Sequence, residues 1–97
     1  MIVSILEGRV TSERWEALEQ EYRKALKTTP PQLKQTYLVQ GESNPNTWRI
    51  ISVWRSKEDF ESVKGAGKLD TCAEMFRKLG VEPTRRIYKL IAHHEQV

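Results

Sequence analysis

Apolar positions along the chain fall in short runs whose period changes from element to element. The densest run is Thr47–Trp54 (TWRIISVW). In an extended strand Trp48, Ile50, Ser52 and Trp54 share one face, and Arg49, Ile51, Val53 and Arg55 share the other. Apolar groups on both faces predict a strand covered on both sides. Ser56 ends the run and a charged segment follows, which predicts a helix with Ser56 as N-cap and Asp59 three residues on in capping-box position. The stretch Thr47–Phe60 is thus expected at the centre of the fold.

The other runs arrange themselves around it. Met1–Val10 carries Ile2, Val3, Ile5 and Leu6 and predicts a first strand, again apolar on both faces. Thr11 or Ser12 is the expected cap of a helix whose Trp15, Leu18, Tyr22 and Leu26 form one stripe. Thr28-Thr29-Pro30-Pro31 stops that helix, because proline cannot continue it. Leu33–Gln40 alternates, with Leu33, Gln35, Tyr37 and Val39 against Lys34, Thr36, Leu38 and Gln40, which suits a polar edge strand. GESNPN (41–46) is a turn by composition, so this strand and Thr47–Trp54 should form a hairpin. The helix after Ser56 buries Phe60 and Val63 and breaks near Gly65–Gly67. A further segment, about Asp70–Leu79, aligns Cys72, Met75, Phe76 and Leu79 and ends at Gly80. Arg85–His93 is the fourth strand, with Ile87 and Ile91 on one face and Tyr88, Leu90 and Ala92 on the other.

The order is β-α-β-β-α-β with a broken second helix. That predicts an α+β, ferredoxin-like fold on a four-stranded antiparallel sheet, in one domain over residues 1–97. Both helices cover the same sheet face. The apolar residues of strands one, three and four leave no polar face on the other side. Burying a large side chain such as Ile51 or Leu90 is worth ~1.5–3 kcal/mol, so a second copy packed face to face is expected.

Composition narrows the function classes. Apolar residues make up 38% and charged residues 30%, which places the chain among soluble globular proteins. The net charge of +3 is spread over pairs such as Arg23-Lys24 and Arg85-Arg86, without the clustered stripe that nucleic acid asks for. Cys72 is the single cysteine, so neither an internal disulfide nor a C-x-x-C metal or redox pair is available. No stretch approaches the ~20 apolar residues of a membrane span, and no basic n-region precedes an apolar h-region. A cytoplasmic protein with no nucleic-acid or membrane partner is expected.

With the elements in order, the chain resembles the antibiotic biosynthesis monooxygenase-like family. The resemblance rests on ISVWRSKEDFES (51–62), on TSERWEALEQEYRKAL (11–26) and on the closing RRIYKLI (85–91). It implies a dimeric α/β barrel. It also implies, for the chemistry, oxidation of an aromatic or quinol-like compound by molecular oxygen with no metal or flavin cofactor. In such sites an electron-rich substrate anion itself reduces oxygen, and the protein supplies shape, orientation and a few hydrogen bonds. Other members bind and degrade haem, using a histidine of the second helical region with an asparagine and a tryptophan over the haem. Here Ser56–Leu79 holds neither histidine nor tryptophan, Val63 stands near the usual position, and the first strand has no asparagine. Haem degradation is therefore not expected.

The residues themselves suggest where a small aromatic ligand would bind without naming a catalytic group. Trp54 could form a flat wall, and Tyr37, Tyr88 and Phe76 could complete the pocket, although core packing explains each of them as well. Trp48 suits the hairpin end. His93-His94 are adjacent in a predicted strand, so they point to opposite faces and do not serve one metal or one proton. No metal site is expected. Two readings stay open: a cofactor-free monooxygenase, and a non-catalytic dimer of the same fold that binds a small molecule or assists another enzyme.

Overall fold

The computed structural model describes residues 1–67 and 70–96. Four strands form one antiparallel sheet: β1 (Ile2–Arg9), β2 (Leu33–Gln40), β3 (Thr47–Trp54) and β4 (Thr84–Lys89), in the order β2-β3-β1-β4. The helices are α1 (Trp15–Ala25), α2 (Lys57–Gly65) and α3 (Asp70–Arg77). This is the ferredoxin-like arrangement, with β3 and β1 central and β2 at an edge. No helix among the described residues is long and apolar enough to cross a membrane.

Local chemistry sets several boundaries. Ser56 caps α2, its Oγ accepting from the Asp59 backbone N–H at 3.0 Å. Gly80, at φ +76°, closes the turn after α3 in the left-handed region that glycine enters freely. The break between α2 and α3 falls where Gly65–Gly67 predict it, and Lys68 and Leu69 lie outside the described residues. At α1 the expectation fails. Neither Thr11 nor Ser12 caps the helix. Ser12–Arg14 form a 3-10 turn instead, and the Thr11 hydroxyl donates to the Glu13 carboxylate, which removes it from capping.

Register fixes which residues share a face. β1 turns Ile2, Ser4, Leu6 and Gly8 towards the helices, and β3 turns Trp48, Ile50, Ser52 and Trp54. β2 slips between Leu33 and Gln35. The slip moves Leu33 opposite Trp54, so Leu33 joins the helix side and parts from Tyr37 and Val39. β4 is shorter than expected. Leu90 still donates to the Met1 carbonyl at 2.9 Å, and the pairing ends there. Ile91 consequently stands 87% exposed outside the sheet.

The core lies in two parts on the inner face. One packs Leu6, Ile50, Trp48 and Val10 of the sheet end against Leu18 and Tyr22 of α1 and Ala73, Met75 and Phe76 of α3. Trp48 sits deep within it at the hairpin end of β3, 6.2 Å from Trp15 between ring centres. The other packs Ile2 and Trp54 against Phe60 and Val63 of α2. Between them crosses one polar row of the sheet, Thr36–Ser52–Ser4. On the outer face Val53 and Val3 sit side by side, as do Ile51 and Ile5, flanked by Tyr37 and Tyr88. Arg49 and Glu7 pair at 2.6 Å in the next row.

Candidate functional site

The polar row opens on a cavity of about 350 Å³ between the inner face and helices α1 and α3. Trp54 forms one wall, locked edge-on against Phe60 at 5.9 Å. Tyr22 comes from the apolar stripe of α1, and Cys72 and Met75 from α3. The Pro30-Pro31 corner and Leu33 close the far end. The proline pair that stops α1 therefore also shapes the cavity, and the slip in β2 is what turns Leu33 into it.

Hydroxyls connect across the floor. Tyr22 Oη donates to Thr36 Oγ1 at 3.1 Å, and Thr36 Oγ1 lies 3.3 Å from Ser52 Oγ. Trp54 Nε1 donates to Ser4 Oγ at 3.0 Å, which orients the indole. Burial pushes the Tyr22 phenol above its ordinary range, against the smaller opposing effect of its bond to Thr36. Burial likewise raises the Cys72 thiol, with Arg85 opposing. Both groups are protonated at neutral pH, so the lining is neutral: hydroxyls, a thiol, a thioether and an indole. Among the described residues it includes neither a carboxylate nor an imidazole.

Of the four ligand residues expected from the sequence, Trp54 lines this cavity. Phe76 is fully buried in the first core part and is not in the lining. Tyr37 pairs with Ile51 and Tyr88 with Val3, so both stand on the outer face, each 47% exposed. Strand parity thus separates the two tyrosines from Trp54, and the four do not meet in one pocket. Tyr22, Thr36 and Ser52 were not singled out by sequence reasoning. Ser52 carried a signal, as the one polar residue in the series Trp48, Ile50, Ser52, Trp54. His93 and His94 are exposed beyond β4. Among the described residues no three His, Cys, Asp or Glu side chains gather as a metal site. Among the described residues no histidine lines the cavity.

Comparison with known proteins places this geometry. The family model for antibiotic biosynthesis monooxygenase matches residues 1–74, from β1 into α3. The chain belongs to the antibiotic biosynthesis monooxygenase family. No curated protein sequence matches it significantly. Solved structures agree on the fold. SnoaB, a cofactor-independent oxygenase from Streptomyces nogalater solved as a point mutant, aligns at a TM-score of 0.74 and 14% identity over 98% of this chain and 97% of its own. MhuD, solved with two manganese protoporphyrin IX per active site, aligns at 0.78 and 11%, over 99% of this chain and 100% of its own. A family protein from Deinococcus radiodurans aligns at 0.73 and 13%, over 100% of this chain and 99% of its own. At these identities the likeness of this family member to its neighbours is one of fold.

Proposed function

We propose that this family member is a cofactor-independent monooxygenase acting on an aromatic or quinol-like small molecule in the cavity between sheet and helices. The observation that carries the reading is the cavity itself: an apolar chamber with one aromatic wall and one hydroxyl row. An electron-rich ring lies against Trp54 and directs an oxygen substituent to Thr36 and Ser52. For an anthrone-like substrate, the methylene carbon takes one atom of molecular oxygen as a carbonyl. Its two hydrogens leave with the other atom as water. The electrons come from the ring system, and the protein contributes orientation and a dry, neutral enclosure.

In the same proposal two copies pack through the outer face, burying Val3, Ile5, Ile51 and Val53 with the rims of Tyr37 and Tyr88. A second reading is favoured by the lining, which has no carboxylate or imidazole to act as base. It is a non-catalytic dimer that binds the same class of molecule or assists another enzyme.

Oxygen uptake separates the two. With hydroquinones and anthrone-like phenols, the oxygenase reading expects one molecule of oxygen consumed per molecule of carbonyl product. An intact, ligand-binding dimer that consumes no oxygen with any of them would leave the second reading.

A further inference from the structure

Leu33 enters the cavity against the parity of its strand. In an unbroken β2 it would share a face with Gln35, Tyr37 and Val39 and point outwards. Leu33 pairs with Trp54 and Gln35 with Val53, so β2 carries one residue more than β3 at this point. That is a bulge at Lys34, an irregularity of the kind that re-aims a side chain beside a site.

The new aim is held by backbone and side chain together. The Leu33 N–H donates to the Pro30 carbonyl at 3.1 Å, closing a turn whose two proline rings fix the chain. Arg55 ties that turn to the end of β3. Its backbone N–H donates to the Gln32 carbonyl at 3.2 Å, and its Nε donates to the Pro31 carbonyl at 3.3 Å. The leucine side chain packs on the second core part, against Ile2, Trp54, Phe60 and Val63. Leu33 also has a fixed place along the floor. Thr36 pairs with Ser52, and Leu33 pairs with Trp54 two positions further along β3, a rise of about 7 Å. Pro30 and Pro31 line the cavity beyond it. A ring laid against Trp54 therefore has a short length of floor before it meets a fixed leucine.

We propose that Leu33 is the length gauge of the cavity: it admits compact, fused-ring aromatics against Trp54 and turns away those extended in line by a further ring. The proposal rests on the cavity reading above and adds the shape of molecule that the site selects.

The test is binding, not turnover. Calorimetry compares β-naphthol, whose two rings are fused, with p-phenylphenol, whose two rings stand in line. Both carry one hydroxyl and are neutral at neutral pH, so length and shape are what differ. The wild-type chain should prefer β-naphthol. Leu33→Ala opens the end of the floor, and an apolar space of that kind takes an aromatic ring. Its affinity for p-phenylphenol should rise about tenfold or more, the scale set by methylene-sized changes in an apolar pocket, with β-naphthol held within about threefold. Leu33→Phe shortens the floor and should weaken β-naphthol about tenfold. A mere loosening of the fold would move both probes the same way. A wild type that prefers p-phenylphenol, a ratio unchanged in both variants, or binding of neither probe would overturn the proposal. An unchanged ratio with both probes still bound would sink the gauge and leave the cavity reading standing. Absence of oxygen uptake alone would count against the oxygenase reading and not against the gauge.

Discussion

Gly8→Ala is expected to destabilise the fold severely, although the change adds one methyl group. Gly8 lies in β1 opposite Trp48, where the sheet meets α3 most closely. A Cβ there would come within 2.5 Å of Phe76 Cδ1, 2.7 Å of Phe76 Cε1 and 3.1 Å of Val81 Cγ1. Phe76 is 0% exposed and packs within the core cluster. Alanine would gain about 0.5–1 kcal/mol over glycine in a strand from chain entropy. Overpacking a filled core costs about 1–3 kcal/mol, occasionally more, and the clash is with a ring rather than a flexible tip. The net effect should be a loss of about 1–2 kcal/mol, or roughly 5–15 °C in melting temperature for a chain of this size. Phe76→Leu should also destabilise alone, yet recover part of the loss when combined with Gly8→Ala. Thermal melts of the four proteins measure that coupling. A Gly8→Ala protein that melts with the wild type would show that β1 and α3 do not approach so closely.

Ile51→Lys is expected to convert the proposed dimer into a folded monomer. Ile51 stands mid-sheet on the outer face, between Tyr37 and Ile5. In a face-to-face pair each copy would bury its Ile51, and each lysine would enter an apolar interface without a partner. On the same face the Glu7 carboxylate is already paired with Arg49 at 2.6 Å, and Arg86 would repel the lysine rather than pair with it. An unpaired buried charge costs several kcal/mol, twice over in a two-fold dimer. In the separate protomer the same lysine extends into water, so circular dichroism should change little. Sedimentation should report a mass falling from twice the 11.3 kDa of the chain to that of one chain. A wild type already monomeric at micromolar concentration, or an Ile51→Lys protein that stays dimeric, would contradict the interface.

What the sequence made legible was local. The Thr47–Trp54 strand, the Ser56 cap, the Gly65–Gly67 break and the Gly80 terminus each depend on a few neighbouring residues. The element order followed, and with it the ferredoxin-like sheet. The candidate site was legible only at Trp54. Its floor depends on Ser4, Thr36 and Ser52 lining up across three strands, and a register of that kind is decided by pairing between distant segments. Tyr22 looked like one more member of an apolar stripe, because a phenol packs as well as it donates. Tyr37 and Tyr88 had the right chemistry and the wrong parity. The close approach at Gly8 is likewise invisible until α3 is laid across β1.

The most direct test of the inner-face site is a two-dimensional nitrogen–proton spectrum recorded while p-nitrophenolate is added. The three tryptophans give three indole signals, so Trp54 can be followed on its own. The Trp54 indole and the Thr36 and Ser52 amides should shift together and saturate together, while the Tyr37 and Tyr88 amides stay still. Shifts centred on Tyr37 and Tyr88, with Trp54 unmoved, would place the ligand on the outer face and contradict the site.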